Sequence, residues 1–518
     1  NILFAIADDA SHFSAFGYDY FETPNVDMVA ENGILFKNAF TSNPKCAPSR
    51  ASILTGRHTW QLEDACDHFG IFPAKFDVYP DLLEDEGYFV GYTGKGWGPG
   101  DWGKGGFKRN PAGPEYNENI LNPPTDGISK KDYAANFEDF LEERPDDQPF
   151  YFWYGGHEPH WPHTFGSGLE AGMNLEDVDV PPYFPDNALV RSNLLDYAYE
   201  IEWFDKHLGQ MLNKLKEIGE LENTLVIVTS DNGMPFPRVK GQMYEQDFHL
   251  PMVAMWPEVI KEGRVVDDLV SFIDLAPTFL ETAGVNVPSE MEGKSLMNIF
   301  KSEKSGIIDE SRNRAYMAKE RHDVGREDNV GYPVRCLRTE RYLYIRNFKP
   351  DRWPAGDPRT GYTNCDLSAI KSYIMKQHRD GDDFYYNLAF GKRPEEELYN
   401  IKEDPACMTN LAYNPEYEDI KIELWQDLKE TLTETGDPRM EGNGDIFDNY
   451  EYVKSPPFKW ENYVESNGKS VQGKLDRLKV EWKDYMDTIL DIERDEILEN
   501  PGKDLMEKYK EDENGDQE

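Results

Sequence analysis

No run of about 18 consecutive apolar residues occurs in the 518-residue chain, which excludes a membrane-spanning helix. Positive charge is also scarce. The 55 Lys and Arg stand against 98 Asp and Glu, for a formal charge of -43, a balance that repels nucleic acid and anionic lipid and removes both as partners. The same field opposes any polyanion, so an anionic ligand requires a local cluster of cations. Cysteine is limited to five residues, at positions 46, 66, 336, 365 and 407. Their number is odd and none form a C-x-x-C pair, so they provide neither a zinc ribbon nor a complete disulfide framework, and at least one is unpaired. No internal repeat is visible, and the opening residues 1–7 read as a core strand rather than a charged leader.

What the chain does have is a 39% hydrophobic and 13% aromatic content, enough for a sizeable core. Its length fits a large domain with a smaller companion. Short apolar runs stop abruptly at polar turns, the pattern of buried parallel strands alternating with helices. Residues 2–7 end at Asp8-Asp9 and residues 89–92 at Thr93-Gly94-Lys95. Residues 150–154 end at Gly155-Gly156-His157 and residues 225–228 at Thr229-Ser230-Asp231-Asn232-Gly233. Ligands of open α/β sheets bind at the carboxyl ends of the strands, so four strands with such endings predict one shared site.

Helical periodicity marks residues 25–31, 193–216 and 420–433, and a strand pair is predicted over 334–348 around Thr339-Glu340-Arg341. These features divide the chain into an α/β domain at 1–310, a smaller α+β domain at 311–435 and an extension at 436–518. The extension is expected to carry a late helix over 475–492 and a disordered acidic tail. Asp8, Asp9, Asp231 and Asn232 are hard oxygen donors, suited to Ca²⁺ or Mg²⁺ rather than a soft metal, although a lone Asp pair at a strand end is ordinarily a cap or a solvated turn.

Cys46-Ala47-Pro48-Ser49-Arg50, followed by Thr55-Gly56-Arg57, resembles the C-x-P-S-R and T-G-R signature of the type I sulfatases of the alkaline phosphatase-like superfamily. The resemblance runs to about residue 412. Ser230-Asp231-Asn232-Gly233 and the segment 442–447 look closest to heparan N-sulfatase and bacterial polysaccharide sulfatases. It implies a large mixed, mostly parallel sheet sandwiched by helices, with a smaller C-terminal α+β domain. It also implies conversion of Cys46 to formylglycine (3-oxoalanine) by a maturation enzyme, and Ca²⁺, with Mg²⁺ as the alternative, held by Asp8, Asp9, Cys46, Asp231 and Asn232. The aldehyde hydrate would supply the nucleophile. By the same resemblance Arg50 and Lys95 hold the diol and sulfate charge, while His157 and Lys240 face the bridging oxygen, with His157 as general acid.

One position departs from the family. Many sulfatases carry a histidine two residues after the lysine matching Lys95, and here that residue is Trp97, which leaves the base for sulfate release unassigned. His160, His68 and His58 are the substitutes in view. For substrate contacts the sequence offers Trp97, Arg109, His160, His249 and His322, with Trp102, Lys104, Lys108, Trp161, Asp323 and Arg326 nearby, although any one of them alone is ordinarily a surface or core residue. The implied activity is hydrolysis of sulfate esters on a polysaccharide-derived oligosaccharide, in the periplasm or outside the cell. The alternatives are N-sulfoglucosamine sulfohydrolase and phosphonate monoester or phosphodiester hydrolase chemistry, and a non-catalytic sugar-binding protein that keeps the fold.

Overall fold

The structure is a computed structural model, and it describes residues 1–146, 148–453 and 460–461. The first domain is built on seven strands: β1 (Ile2–Ala7), β2 (Ile34–Phe40), β3 (Phe89–Gly94), β4 (Phe150–Gly155), β5 (Leu225–Ser230), β6 (His249–Met255) and β7 (Arg264–Ser271). Their order is β3-β4-β1-β5-β6-β2-β7. Strands β3, β4, β1 and β5 are mutually parallel, as are β2 and β7, and β6 runs antiparallel to both of its neighbours.

Alternation along the central strand feeds two cores, as a strand period of two requires. Leu3, Ala5 and Ala7 pack with the helices Tyr133–Glu143 and Ala188–Glu217 on one face. Ile2, Phe4 and Ile6 pack with Cys46–Thr55, Tyr79–Asp85 and Leu275–Ala283 on the other. With helices on both faces, every residue of β1, β4 and β5 is buried, which explains their uninterrupted apolar sequence. The long helix begins at Ala188, five residues before its periodicity becomes visible, because the Asn187 side chain accepts from Val190 N and caps it.

A second, antiparallel sheet has the order β11-β10-β9-β8, with β8 Arg314–Lys319, β9 Val334–Thr339, β10 Tyr342–Asn347 and β11 Glu396–Asn400. One face joins the large domain through Met317, Cys336 and Ile345 against Phe40, Tyr244 and Phe248. The other is covered by Leu424, Leu428 and Leu432 of the helix Glu418–Glu434. The expected helix over 475–492 and the acidic tail lie outside the described residues. All five cysteines are free and buried.

Phe152 on β4 sits 4.8 Å from the Phe137 ring and 4.6 Å from that of Phe140. Phe152→Ala is expected to lower unfolding free energy by about 3–5 kcal/mol in a denaturant titration. Ile120→Ala, at a residue 73% exposed, should stay within about 0.5 kcal/mol.

Candidate active site

The four strands whose endings drew attention are neighbours in the sheet, so their carboxyl ends open onto one place. Asp8 and Asp9 follow β1, Asp231 and Asn232 follow β5, Lys95 follows β3, and His157 and His160 follow β4. Asp9 adopts a left-handed backbone with φ 74°, a conformation that costs a non-glycine residue on the order of 1–3 kcal/mol and gathers at functional sites. Its amide donates to Asp231 Oδ1 at 3.1 Å, which ties the two strand ends together.

Cys46 is the first residue of the helix Cys46–Thr55, all of whose residues are buried, so its side chain lies at the positive end of the helix dipole. Gly56 ends that helix in the left-handed region at φ 63°, which accounts for the glycine in Thr55-Gly56-Arg57. Cys46 Sγ lies 3.2 Å from Asp8 Oδ1 and 4.0 Å from Asp9 Oδ1. Arg50, one turn further on, donates from Nε to Asp231 Oδ2 at 2.7 Å and from Nη1 to the carbonyls of Lys95 and Gly96. Lys95 Nζ meets Asp8 Oδ2 at 2.5 Å, set there by the turn at Gly94 (φ 79°), where a Cβ would lie 1.9 Å from the Gly155 carbonyl oxygen. Lys240 Nζ bridges Asp9 Oδ2 and Asp366 Oδ2, each at 2.6 Å.

The electrostatics follow from this crowding. Burial and then the Asp8 carboxylate push the Cys46 thiol well up. Asp231 is raised to about 7, by burial first and then by Asp8. Burial also opposes ionisation of Asp8, but Lys95, His160, Arg50 and Lys240 outweigh it and hold this carboxyl well below its usual range. Lys240, although desolvated, is raised well above an ordinary lysine by Asp366 and Asp9.

The donor set fits a hard divalent cation. One oxygen each of Asp8, Asp9 and Asp231 and the Cys46 sulfur lie within 4.8 Å of one another. All four residues are buried, and the Asn232 amide oxygen beside them is buried without a hydrogen-bond donor. Carboxylate and amide oxygens at this spacing suit Ca²⁺ or Mg²⁺.

The structure redistributes the two histidines of His157-Glu158-Pro159-His160. A ring nitrogen of His160 lies within 4.8 Å of both Asp8 and Cys46, and its Nε2 is 3.9 Å from Asp9 Oδ2. Nδ1 of His160 is 2.5 Å from the Trp161 carbonyl oxygen, which can only accept, so Nδ1 carries a proton and Nε2 faces the centre. His157 lines the same cavity, but burial and then Lys131 push it down to about 3, so the ring is neutral near pH 7. A neutral imidazole is poorly suited to the acid role expected from the sequence.

Four other expected contacts lie elsewhere. Trp97 is buried, donates from Nε1 to the Ala47 carbonyl at 2.9 Å and packs on Phe72, so it braces the Cys46 helix instead of lining the cavity. Arg109 is taken up by Asp81 and Glu84 on the surface. His249 bonds Glu245 and the Lys37 carbonyl in a separate cleft. His322 is buried behind the cavity wall on Asn43 Oδ1. Sequence reasoning missed Lys45, which stands next to the motif and could have been taken with it. It also missed Asp366, whose loop carries no motif and joins Lys240 across 126 residues of sequence.

The cavity above Cys46 holds about 720 Å³ and is lined by Asp8, Lys45, Lys95, His157, His160 and Lys240. From across the domain boundary come Asp323, Thr363 and Asp366. Adding Ca²⁺ to chelator-treated protein should raise its thermal midpoint, with a stabilisation of about 2.7 kcal/mol once the ion reaches 100 times its dissociation constant. Asp231→Asn should lose most of that response. An unchanged midpoint in the wild type would contradict the cation site.

Known proteins resemble this chain over most of its length. The sulfatase family model matches residues 1–285, and the model of the C-terminal part of N-sulphoglucosamine sulphohydrolase matches 239–360. An ulvan-active sulfatase of Formosa agariphila is 25% identical over 492 residues, covering 84% of this chain and 75% of the relative. The human N-sulphoglucosamine sulphohydrolase is 28% identical over 482 residues, covering 85% of this chain and 91% of its own. Among solved structures, an enzyme in complex with its substrate D-glucosamine-2-N,6-O-disulfate has a TM-score of 0.60 at 22% identity, covering 84% of this chain and 98% of that one. Since a single family model spans more than half of the chain and takes in Cys46, Arg50 and the strand ends around them, the chain belongs to the sulfatase family of sulfuric ester hydrolases.

Proposed function

We propose that this sulfatase removes the sulfate ester from a sulfated carbohydrate, with Cys46 matured to formylglycine and a divalent cation, Ca²⁺ by the hardness of its donors, held by Asp8, Asp9, Asp231 and Asn232. The observation that carries this reading is the charge around Cys46. Four carboxylates (Asp8, Asp9, Asp231 and Asp366) face three cations (Arg50, Lys95 and Lys240), which leaves one excess negative charge once Asp231 has given up its proton to a bound cation. A divalent ion turns that into one positive charge, the complement of a single sulfate monoanion. The carbohydrate class is supported by the names of the relatives, which refer to ulvan and N-sulphoglucosamine, and by the walls of the cavity, where Phe69 and Trp161 present apolar faces among polar groups.

Formylglycine and the cation would together supply an activated oxygen nucleophile and a Lewis acid. The chain's own residues do the rest. Arg50 and Lys95 are fixed by Asp231 and Asp8 before substrate arrives, so charge on the sulfate oxygens meets donors that need no reorganisation. His160, whose Nδ1 proton is held by the Trp161 carbonyl, must carry a second proton on Nε2 to act, and it passes that proton to the bridging oxygen beside the Lys240 ammonium. His157, held neutral, is left for proton acceptance or positioning. A second reading, cleavage of a sulfamate on an amino sugar, is supported by the match of 239–360 to the C-terminal model named for that activity. A polymeric sulfated substrate, together with the need for a maturation enzyme, favours the periplasm or the cell exterior.

His160→Ala should lower kcat on a sulfated sugar by about 10²- to 10⁴-fold and far less on 4-nitrophenyl sulfate, whose leaving group needs no proton. His157→Ala should spare the aryl and sugar substrates in equal proportion. The reverse ranking would assign the proton to His157. Incubation with O-sulfated and N-sulfated glucosamine separates ester from sulfamate cleavage, and faster turnover of an aryl phosphate diester than of either would overturn the sulfatase reading.

A further inference from the structure

Beside the sulfate-binding end, the cavity has a second polar group of residues that the hydrolytic step does not use. Lys45 immediately precedes Cys46, and its side chain is 2% exposed. Its single ion pair among the described residues is to Asp323 Oδ2 at 3.4 Å, a long contact that leaves ammonium protons available to the cavity both residues line. The other oxygen of Asp323 is committed, accepting from Tyr452 Oη at 2.8 Å and from His68 Nδ1 at 3.0 Å. Because Nδ1 donates, Nε2 of His68 is an acceptor, and it is buried with no partner while His68 lines the cavity. Three parts of the chain therefore converge: the Cys46 loop, the turn at His68, and the segment after β8, held from behind by Tyr452 of the extension.

The chemistry of a fitting ligand can be read from this set. Lys45 and Asp323 neutralise one another, and burial pushes His68 down to about 4, so the group carries no net charge near pH 7. A second sulfate or a carboxylate placed here would meet Asp323 at close range. A hydroxyl instead suits the group: its oxygen accepts from Lys45, and its one proton goes to either of the two acceptors, Asp323 Oδ2 or His68 Nε2. An unpaired buried acceptor beside a half-used ammonium is costly until such a group arrives, which is how a site discriminates strongly against a ligand lacking it.

We propose that Lys45, His68 and Asp323 form a specificity subsite that grips a free hydroxyl of the sugar ring flanking the scissile sulfate. The inference rests on the carbohydrate reading above. It implies that this enzyme selects sugars unsubstituted at that flanking position and discriminates against those sulfated or deoxygenated there.

Steady-state kinetics of the full chain on monosulfated monosaccharides, on their flanking-position deoxy analogues and on 4-nitrophenyl sulfate test it. With the wild type, the deoxy sugar should lose about 10- to 100-fold in kcat/KM, mainly through KM. Asp323→Asn and Asp323→Ala should lose a similar factor on the parent sugar, lose little more on the deoxy sugar, and leave 4-nitrophenyl sulfate within about twofold. Equal losses on the aryl and sugar substrates would show that the group only positions Cys46, and unchanged sugar kinetics in both variants would show that it touches nothing; either overturns the proposal. A wild type that cleaves 4-nitrophenyl sulfate but no sulfated sugar would instead remove the carbohydrate reading, and the subsite with it.

Discussion

Three carboxylates, Asp8, Asp9 and Asp231, are held together in the interior at the ends of two adjacent parallel strands, and most of the local structure answers that repulsion. Two like charges 4 Å apart repel by about 4 kcal/mol at an effective dielectric constant of 20, a large fraction of the stability of a domain. Each carboxylate has its own cation: Arg50 on Asp231, Lys95 on Asp8 and Lys240 on Asp9. Each of these cations comes from a different element, so the charge balance also fixes the Cys46 helix, the turn after β3 and the segment after β5 around a common point. The strained backbone of Asp9 is tolerated because its amide and carboxylate are both held by neighbours.

The smaller domain completes the cavity. Asp366 shares Lys240 with Asp9, and Asp323 meets Lys45, so two of the cations lining the cavity are oriented from across the domain boundary. The overall charge of -43 would keep a sulfated polymer away, and because Lys45, Lys95 and Lys240 are each paired with a carboxylate, it is a divalent ion that would reverse that sign locally. Selection then takes place where positive charge is already spoken for and hydroxyl-binding groups remain.

The catalytic strand ends were legible because burial on both faces leaves a plain signal, an apolar run broken by charge, and the Cys46 segment carries a dense motif. Strands β2 and β6 were not legible. Lys37 and Asn38 interrupt β2 where its register shifts, and Pro251 lies within β6. The choice between His157 and His160 depends on which side of a turn each ring occupies, and Trp97 could be placed in the core only once Phe72 and the Ala47 carbonyl were seen beside it. Asp366 joins the site through a tertiary contact more than 100 residues long, which no local pattern reports, whereas Asp323 was in view from the sequence only as one of several residues near a candidate contact.

Everything at this centre is arranged around a modified Cys46. The direct measurement is the mass of the peptide containing Cys46, taken on the same sample whose turnover of a sulfate ester is recorded. Replacement of the thiol by an aldehyde is expected, with turnover rising in proportion to the converted fraction. A sample that hydrolyses sulfate esters at full rate while its Cys46 remains an unmodified thiol would contradict it.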